Sequence, residues 1–357
     1  MQDVLFVLLR NELWQEVQID ITLSEEEKER LFANAKKQAV IGLVANALIR
    51  NNVSIGRVWV IKALTLTKQI EDTNKRINGE LVRFANFMFK NNVDYRVVKG
   101  QTVATLYLNP LLRCAGDIDF YCDASNFSLT QKLIEDKLGI EVESNSAKHI
   151  EFQVNRVQYE MHSKLTEFSY GKHQKYWERI LEQEMREKRC MVRINNTEVP
   201  VLSPTMNVLY LFCHIFYHLI INGIGLRQFC DLTLFIDRHY EEIDWKLLDK
   251  HLKHLGIKRA FTATGYVIVE LLGLRTEKFP YSLTDKDRKV GKRIVKSVIM
   301  DGDWARDRHH VKGKGVLHSM ETGYISLVQS MKYVDVAPLE CLLRMPRLGM
   351  FFLEKLR

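Results

Sequence analysis

The sequence predicts an α+β protein in which a mixed α/β unit sits between two helical regions. Three observations point there. Apolar residues recur at helical spacing up to about position 90, alternate at strand spacing between 91 and about 202, and return to helical spacing from Ser203-Pro204 onward. The expected division is an N-terminal helical region over 1–90, an α/β core over 91–202 and a C-terminal helical domain over 203–357.

Size and composition agree. A chain of 357 residues suits two or three compact units. Hydrophobic residues at 46% and charged residues at 27% are the balance of an ordinary globular protein. The net charge of +8 favours anionic partners such as nucleotides, phosphosugars or RNA without selecting among them, and free basic surface accounts for it equally well. The six cysteines form no CxxC pair and suit a reducing cytosol. The opening MQDVLFVLLRNELWQ lacks a basic leader and a small-residue cleavage site. No stretch approaches the ~20 apolar residues of a membrane span. The expectation is a cytoplasmic protein with no membrane partner.

The elements follow in order. LSEEEKERLFANAKKQAVIGLVANAL opens with Ser24 as N-cap and Glu27 three residues on, a capping box. VWVIKALTLTKQIEDTNKRINGELVRFANFMFK keeps a helical period over several turns. YRVV (95–98) is a short β-branched run, and AGDIDFYC (115–122) alternates strongly. SNFSLTQKLIEDKLG reads as a helix ending at Gly139. HIEFQVN and VQYEMHSKL (149–155 and 157–165) read as strands joined by a tight turn, and CMVRI and TEVPVL (190–194 and 197–202) as a second hairpin turning at Asn195-Asn196. Pro204 suits a first helical turn, TMNVLYLFCHIFYHLI is a strongly apolar helix, and Gly223–Gly225 separates it from LRQFCDLTLFIDRHY. The tail PLECLLRMPRLGMFFLEKLR is amphipathic and is expected to pack on the helical bundle.

The chemistry lies in VVKGQTVATLYLNPLLRCAGDIDFYC, residues 97–122. Asp117 and Asp119, two apart on a predicted strand, share a face. At ~4 Å and an effective dielectric of ~20, two such charges repel by about 4 kcal/mol, so the pair calls for a cation. Hard divalent ions prefer that oxygen environment together with substrate phosphates. Alone, a DxD is common on solvated strand edges. Here Lys99-Gly100 lies between a strand and a short helical pattern, where a glycine and a helix start can approach a phosphate. Glu160 lies on a later strand that can sit beside the DxD strand, and His162 shares its face.

The string KGQTVATLYLNPLLRCAGDIDFY followed by YEMHSKL resembles the uncharacterised nucleotidyltransferase family of the polymerase-beta-like superfamily. HIFYHLIINGIGLRQFCDLTLFID resembles that family's helical region, so the likeness covers most of residues 85–240. The resemblance implies a polymerase-beta-like nucleotidyltransferase core, a mixed sheet with helices, flanked by N- and C-terminal helical domains. It implies Asp117, Asp119 and Glu160 as catalytic residues holding Mg²⁺ or Mn²⁺. The reaction it implies is attack of an acceptor hydroxyl on the α-phosphate of a nucleoside triphosphate, ATP among them, with release of pyrophosphate. The ions of such two-metal sites stand ~3.5–4 Å apart, and Glu160 can also accept the hydroxyl proton. The wider superfamily carries Gly-Ser where this chain has Lys99-Gly100-Gln101, so those three residues are the expected triphosphate contacts. The acceptor stays open: a sugar, a small metabolite, a protein side chain or an RNA end each fits.

Secondary candidates divide. Arg113 can contact a phosphate or pair with the Asp cluster. Arg227 can reach the cleft or form an i,i+4 pair with Asp231, worth ~0.2–0.5 kcal/mol. His214 and His218 have the spacing of zinc ligands but no third ligand, and in so apolar a helix they read as core histidines. The basic stretch from Lys286 to Lys314, with His309-His310, can bind RNA but is interspersed with Asp, and reads as a solvated surface segment. The competing expectation for the whole chain is a non-catalytic nucleotide- or partner-binding regulator, toxin–antitoxin-like, that retains the fold. A DxD glycosyltransferase would need an extended parallel βαβ pattern that the sequence lacks.

Overall fold

The computed structural model describes residues 2–15, 21–140, 143–146, 149–221, 223–301 and 316–344. Four helices open the chain: α1 (Gln2–Trp14), α2 (Glu25–Lys37), α3 (Ile41–Arg50) and the 34-residue α4 (Arg57–Lys90). The α/β region follows as β1 (Arg96–Val98), α5 (Gly100–Ala104), β2 (Ile118–Tyr121), α6 (Ala124–Leu138), β3 (Glu143–Ser146), β4 (His149–Val154), β5 (Val157–His162), α7 (Gly171–Arg186), β6 (Cys190–Ile194) and β7 (Thr197–Val201). Helices α8 (Pro204–Ile221), α9 (Leu226–His239), α10 (Trp245–His254), α11 (Lys258–Gly265), α12 (Asp285–Asp301), α13 (Val316–Met331) and α14 (Pro338–Leu342) complete it.

The architecture is α+β, a seven-stranded mixed sheet with helices, in the order β3-β4-β5-β2-β1-β7-β6. Strands β2 and β5 are parallel, as are β1 and β7; the remaining pairs are antiparallel. Local chemistry sets the boundaries. The Ser24–Glu27 capping box starts α2, and Gly139, left-handed at φ 65°, ends α6. Asn155 (φ 50°) and Arg156 (φ 64°) form the two-residue turn between β4 and β5, where both positions need positive φ.

Two apolar cores flank the sheet. On one face Phe120, Phe152, Tyr159 and Met161 pack against Ile77, Leu81 and Phe84 of α4 and Ile134 of α6. The second core joins the N- and C-terminal helices, from Leu8 and Val44 to Phe229, Leu252 and Cys341. Along β5 burial alternates, with Val157, Tyr159 and Met161 buried and Gln158, Glu160 and His162 half-buried. The sheet thus turns its polar side chains away from α4.

Helix α8 has 18 residues and a mean hydropathy of 1.3, nearer to a membrane span than the sequence reading allowed, but 78% of it is buried inside the protein. Helix α7 and strand β3 had no counterpart in that reading. The end of the basic stretch, 302–315, and the tail beyond Arg344 lie outside the described residues.

Candidate active site

Strand pairing builds the site. Parallel register sets Asp119 opposite Glu160 and Tyr121 opposite His162, while antiparallel register sets Val98 opposite Asp119. The residue after Val98 is Lys99, and its Nζ lies 3.1 Å from Asp119 Oδ1. His162 Nε2 is 3.0 Å from the same oxygen and 3.5 Å from Glu160 Oε2. Lys99 holds φ 57° and ψ −149°, a region that side chains other than glycine's seldom occupy. Strained backbone at this position aims the ammonium group at Asp119. Gly100 follows at φ 52°, where a Cβ would stand 3.4 Å from the Asp117 carbonyl oxygen.

These groups line a cavity of about 360 Å³, together with Asp117, Arg113, Arg227, Tyr210, His214 and His218. Electrostatics within it is uneven. Burial raises the Glu160 carboxyl to about 8, with the charges of Asp119 and Asp117 adding to it. Burial and then Asp119 push Asp117 upward as well. For Asp119 burial acts in the same direction, but Lys99 and His162 outweigh it and hold this carboxyl well below the usual range. Burial disfavours the Lys99 cation, yet Asp119, Tyr210, Asp117 and Glu160 more than compensate and keep it charged. Three carboxylates thus share one buried cation and one imidazole, the arrangement that a divalent ion relieves.

Among the described residues, Asp119, Glu160 and His162 bring donor atoms within 4.8 Å of one another, close enough to share one ion. The expected trio was Asp117, Asp119 and Glu160. Asp117 immediately precedes β2 and lines the same cavity, and His162 is the further donor in the tight group.

Two of the expected phosphate contacts are engaged elsewhere. Arg113 is buried and donates from Nε and Nη2 to the two oxygens of Asp231, both at 2.7 Å, and Tyr107 donates to Asp231 at 2.7 Å. Its partner is therefore Asp231 of α9 rather than the strand aspartates. Gln101 turns to α4, donating to Asn74 at 3.1 Å and to Asn78 at 2.5 Å, and does not line the cavity. Lys99, Gly100 and Arg227 do line it, and Arg227 Nη1 donates to the Cys114 carbonyl at 3.0 Å.

Other residues emerge only in three dimensions. Asn74, fully buried in α4, donates to the carbonyls of Leu111 and Arg113, both at 2.8 Å, and so fixes the loop before Asp117. A polar residue on the buried face of a long amphipathic helix was the available signal. His214 and His218 line the cavity, their ring centroids 4.4 Å apart, where the sequence suggested core histidines. Burial, then Lys99, pushes His214 well below its ordinary value, so it faces the cavity as a neutral imidazole.

Residues 24–273 match the model of the family described as uncharacterised nucleotidyltransferase. The chain belongs to that family. This nucleotidyltransferase family member also aligns with the crystal structure of an antigenic nucleotidyltransferase-like protein from Paracoccidioides brasiliensis. The two are 17% identical over 57% of this chain and 95% of the other, with a TM-score of 0.35. No functionally curated protein matches the chain.

Proposed function

We propose that the protein is a metal-dependent nucleotidyltransferase that moves a nucleoside monophosphate from a nucleoside triphosphate to a hydroxyl acceptor. The observation that carries this reading is the pairing of Asp119 with Glu160 on adjacent parallel strands, inside one cavity with Asp117, Lys99 and Arg227. The donor set fits Mg²⁺ or Mn²⁺: the oxygens are crowded, and burial and mutual repulsion raise two of the three carboxyls. Asp119 and Glu160, with Asp117 beside them, would hold the ion, and the His162 imidazole suits Mn²⁺ better than Mg²⁺. When bound, the ion neutralises phosphate charge and lowers the pKa of an oxygen it touches.

The chain's own residues supply the rest. Lys99 and Arg227 bring positive charge to the triphosphate, and Gly100 leaves room for its approach. The acceptor oxygen forms a bond to the α-phosphorus, the α–β anhydride bond breaks, and pyrophosphate leaves with the bonding pair. Glu160, held ionised when the cation is bound, accepts the acceptor's proton. The neutral His214 and the His218 ring offer hydrogen-bonding and stacking partners to the remainder of the substrate. The six free cysteines support a cytoplasmic setting.

Thermal-shift measurements with each nucleoside triphosphate, with and without Mg²⁺ or Mn²⁺, test the reading. Stabilisation by a triphosphate that requires the ion and vanishes in Asp117→Asn/Asp119→Asn is expected. Equal stabilisation without the ion, or in the double variant, would contradict it.

A further inference from the structure

Outside the cavity, charge is concentrated on α12. Residues 286, 289, 292, 293 and 296 are Lys, Lys, Lys, Arg and Lys, and all but the half-buried Arg293 are exposed. At 3.6 residues per turn they fall within roughly 120° of arc along ~15 Å of helix. Val290, Ile294, Val295 and Val298 occupy the opposite side and are buried in the helical core. Some lysines elsewhere have acidic partners, as in Lys68–Asp72 and Lys253–Asp249. Among the described residues no carboxylate pairs with Lys286, Lys289, Lys292 or Lys296, and Asp335 pairs with Arg293 at 2.7 Å. Like charges three and four residues apart oppose helix formation, and an anion laid along them relieves that repulsion.

The stripe borders a hollow. Arg259 of α11 joins Lys286, Lys289 and Arg293, with Val290 and the Arg293-paired Asp335, around a pocket of about 320 Å³. Arg259 donates to the Asp335 carbonyl at 2.7 Å, and the Arg293 guanidinium stacks 5.3 Å from the Tyr333 ring centre, so both cations are held in place. A single phosphate cannot engage charges spread over three helical turns; a chain of phosphates can. The exposed face carries one large apolar residue, Met300, too little for insertion into a lipid surface.

We propose that this face of α12 binds the phosphodiester backbone of a single-stranded nucleic acid. Recognition is by charge, so RNA and DNA strands bind alike. The binding is independent of the transferase reading; that the bound strand supplies the acceptor hydroxyl rests on that reading.

Fluorescence anisotropy of the full chain with labelled oligo-uridine and oligo-deoxythymidine, over a salt series, tests the proposal. Four lysine contacts predict a roughly 50-fold loss of affinity between ~50 and ~200 mM salt. The variant Lys286→Gln/Lys289→Gln/Lys292→Gln/Lys296→Gln should lose that dependence, and Lys292→Gln alone should lower the slope by about 0.7. Lys68→Gln/Lys253→Gln, on other helices, should bind as the wild type does, which assigns the binding to this face. Unchanged affinity and slope in the four-lysine variant, or equal loss in Lys68→Gln/Lys253→Gln, overturns the proposal. Equal binding of polyglutamate assigns the face to an acidic protein and overturns it too.

Discussion

Two assemblies of acids and bases line the same cavity and have opposite character. In one, Arg113 and Asp231 meet as a two-pronged ion pair, Tyr107 adds a third bond, and every charge is matched. In the other, Asp117, Asp119 and Glu160 crowd around Lys99 and His162, and burial, with the charges of Asp119 and Asp117 adding to it, raises Glu160 to about 8. The residue types are nearly the same. Charge balance separates them: the first is complete within the protein, and the second has carboxylates to share with a cation. Buried charge by itself therefore says little about function, whereas an excess of buried charge of one sign lining a cavity says a good deal.

The comparison can be broken most forcefully at Asp231. Asp231→Ala strands the Arg113 guanidinium and should cost ~3–5 kcal/mol in urea denaturation, with or without metal. A cost below about 1 kcal/mol, the range of exposed pairs, would show that the pair does not hold the helices in place. Asp119→Asn should cost less, about 1.5–3 kcal/mol, because Lys99 keeps Asp117 and Glu160 nearby.

Glu160 sharpens the contrast through pH. An acid whose pKa is raised in the folded state stabilises the fold while protonated. That contribution is complete below its ordinary value of 4.5 and is lost as pH rises through about 8. Metal-free protein should thus lose stability across that window, and Glu160→Gln should flatten the loss in thermal melts taken across it. An identical pH slope in wild type and variant would mean that Glu160 is not raised. The smallest effect belongs to Asp117→Asn. It removes a repelled charge and should stabilise the metal-free protein by under about 1 kcal/mol after solvent screening, whereas a loss of stability would place Asp117 among the satisfied acids.

Much of this was legible in the sequence, for identifiable reasons. Alternation gave β2, β4 and β5, and with them Asp119, Glu160 and His162. The Ser24–Glu27 box and Gly139 marked helix ends. What escaped depended on contacts distant in sequence. Arg113 and Asp231 lie 118 positions apart, and nothing near Arg113 identifies its partner. His214 and His218 looked like core residues because their helix is apolar; they line the cavity because α8 presents them there. Strand β3 reads ESNS, without a β-branched or aromatic residue, and α7 begins after Tyr170 with no side-chain cap, so neither carried a local signal.

The central claim is that the carboxylates of β2 and β5 hold a divalent cation. Calorimetric titration of Mn²⁺ into the wild-type protein above pH 8, where Glu160 is ionised, addresses it directly. Saturable binding that is lost in Asp119→Asn and weakened in Asp117→Asn is the predicted result; Mn²⁺ binding of equal affinity in wild type and Asp119→Asn would contradict the account.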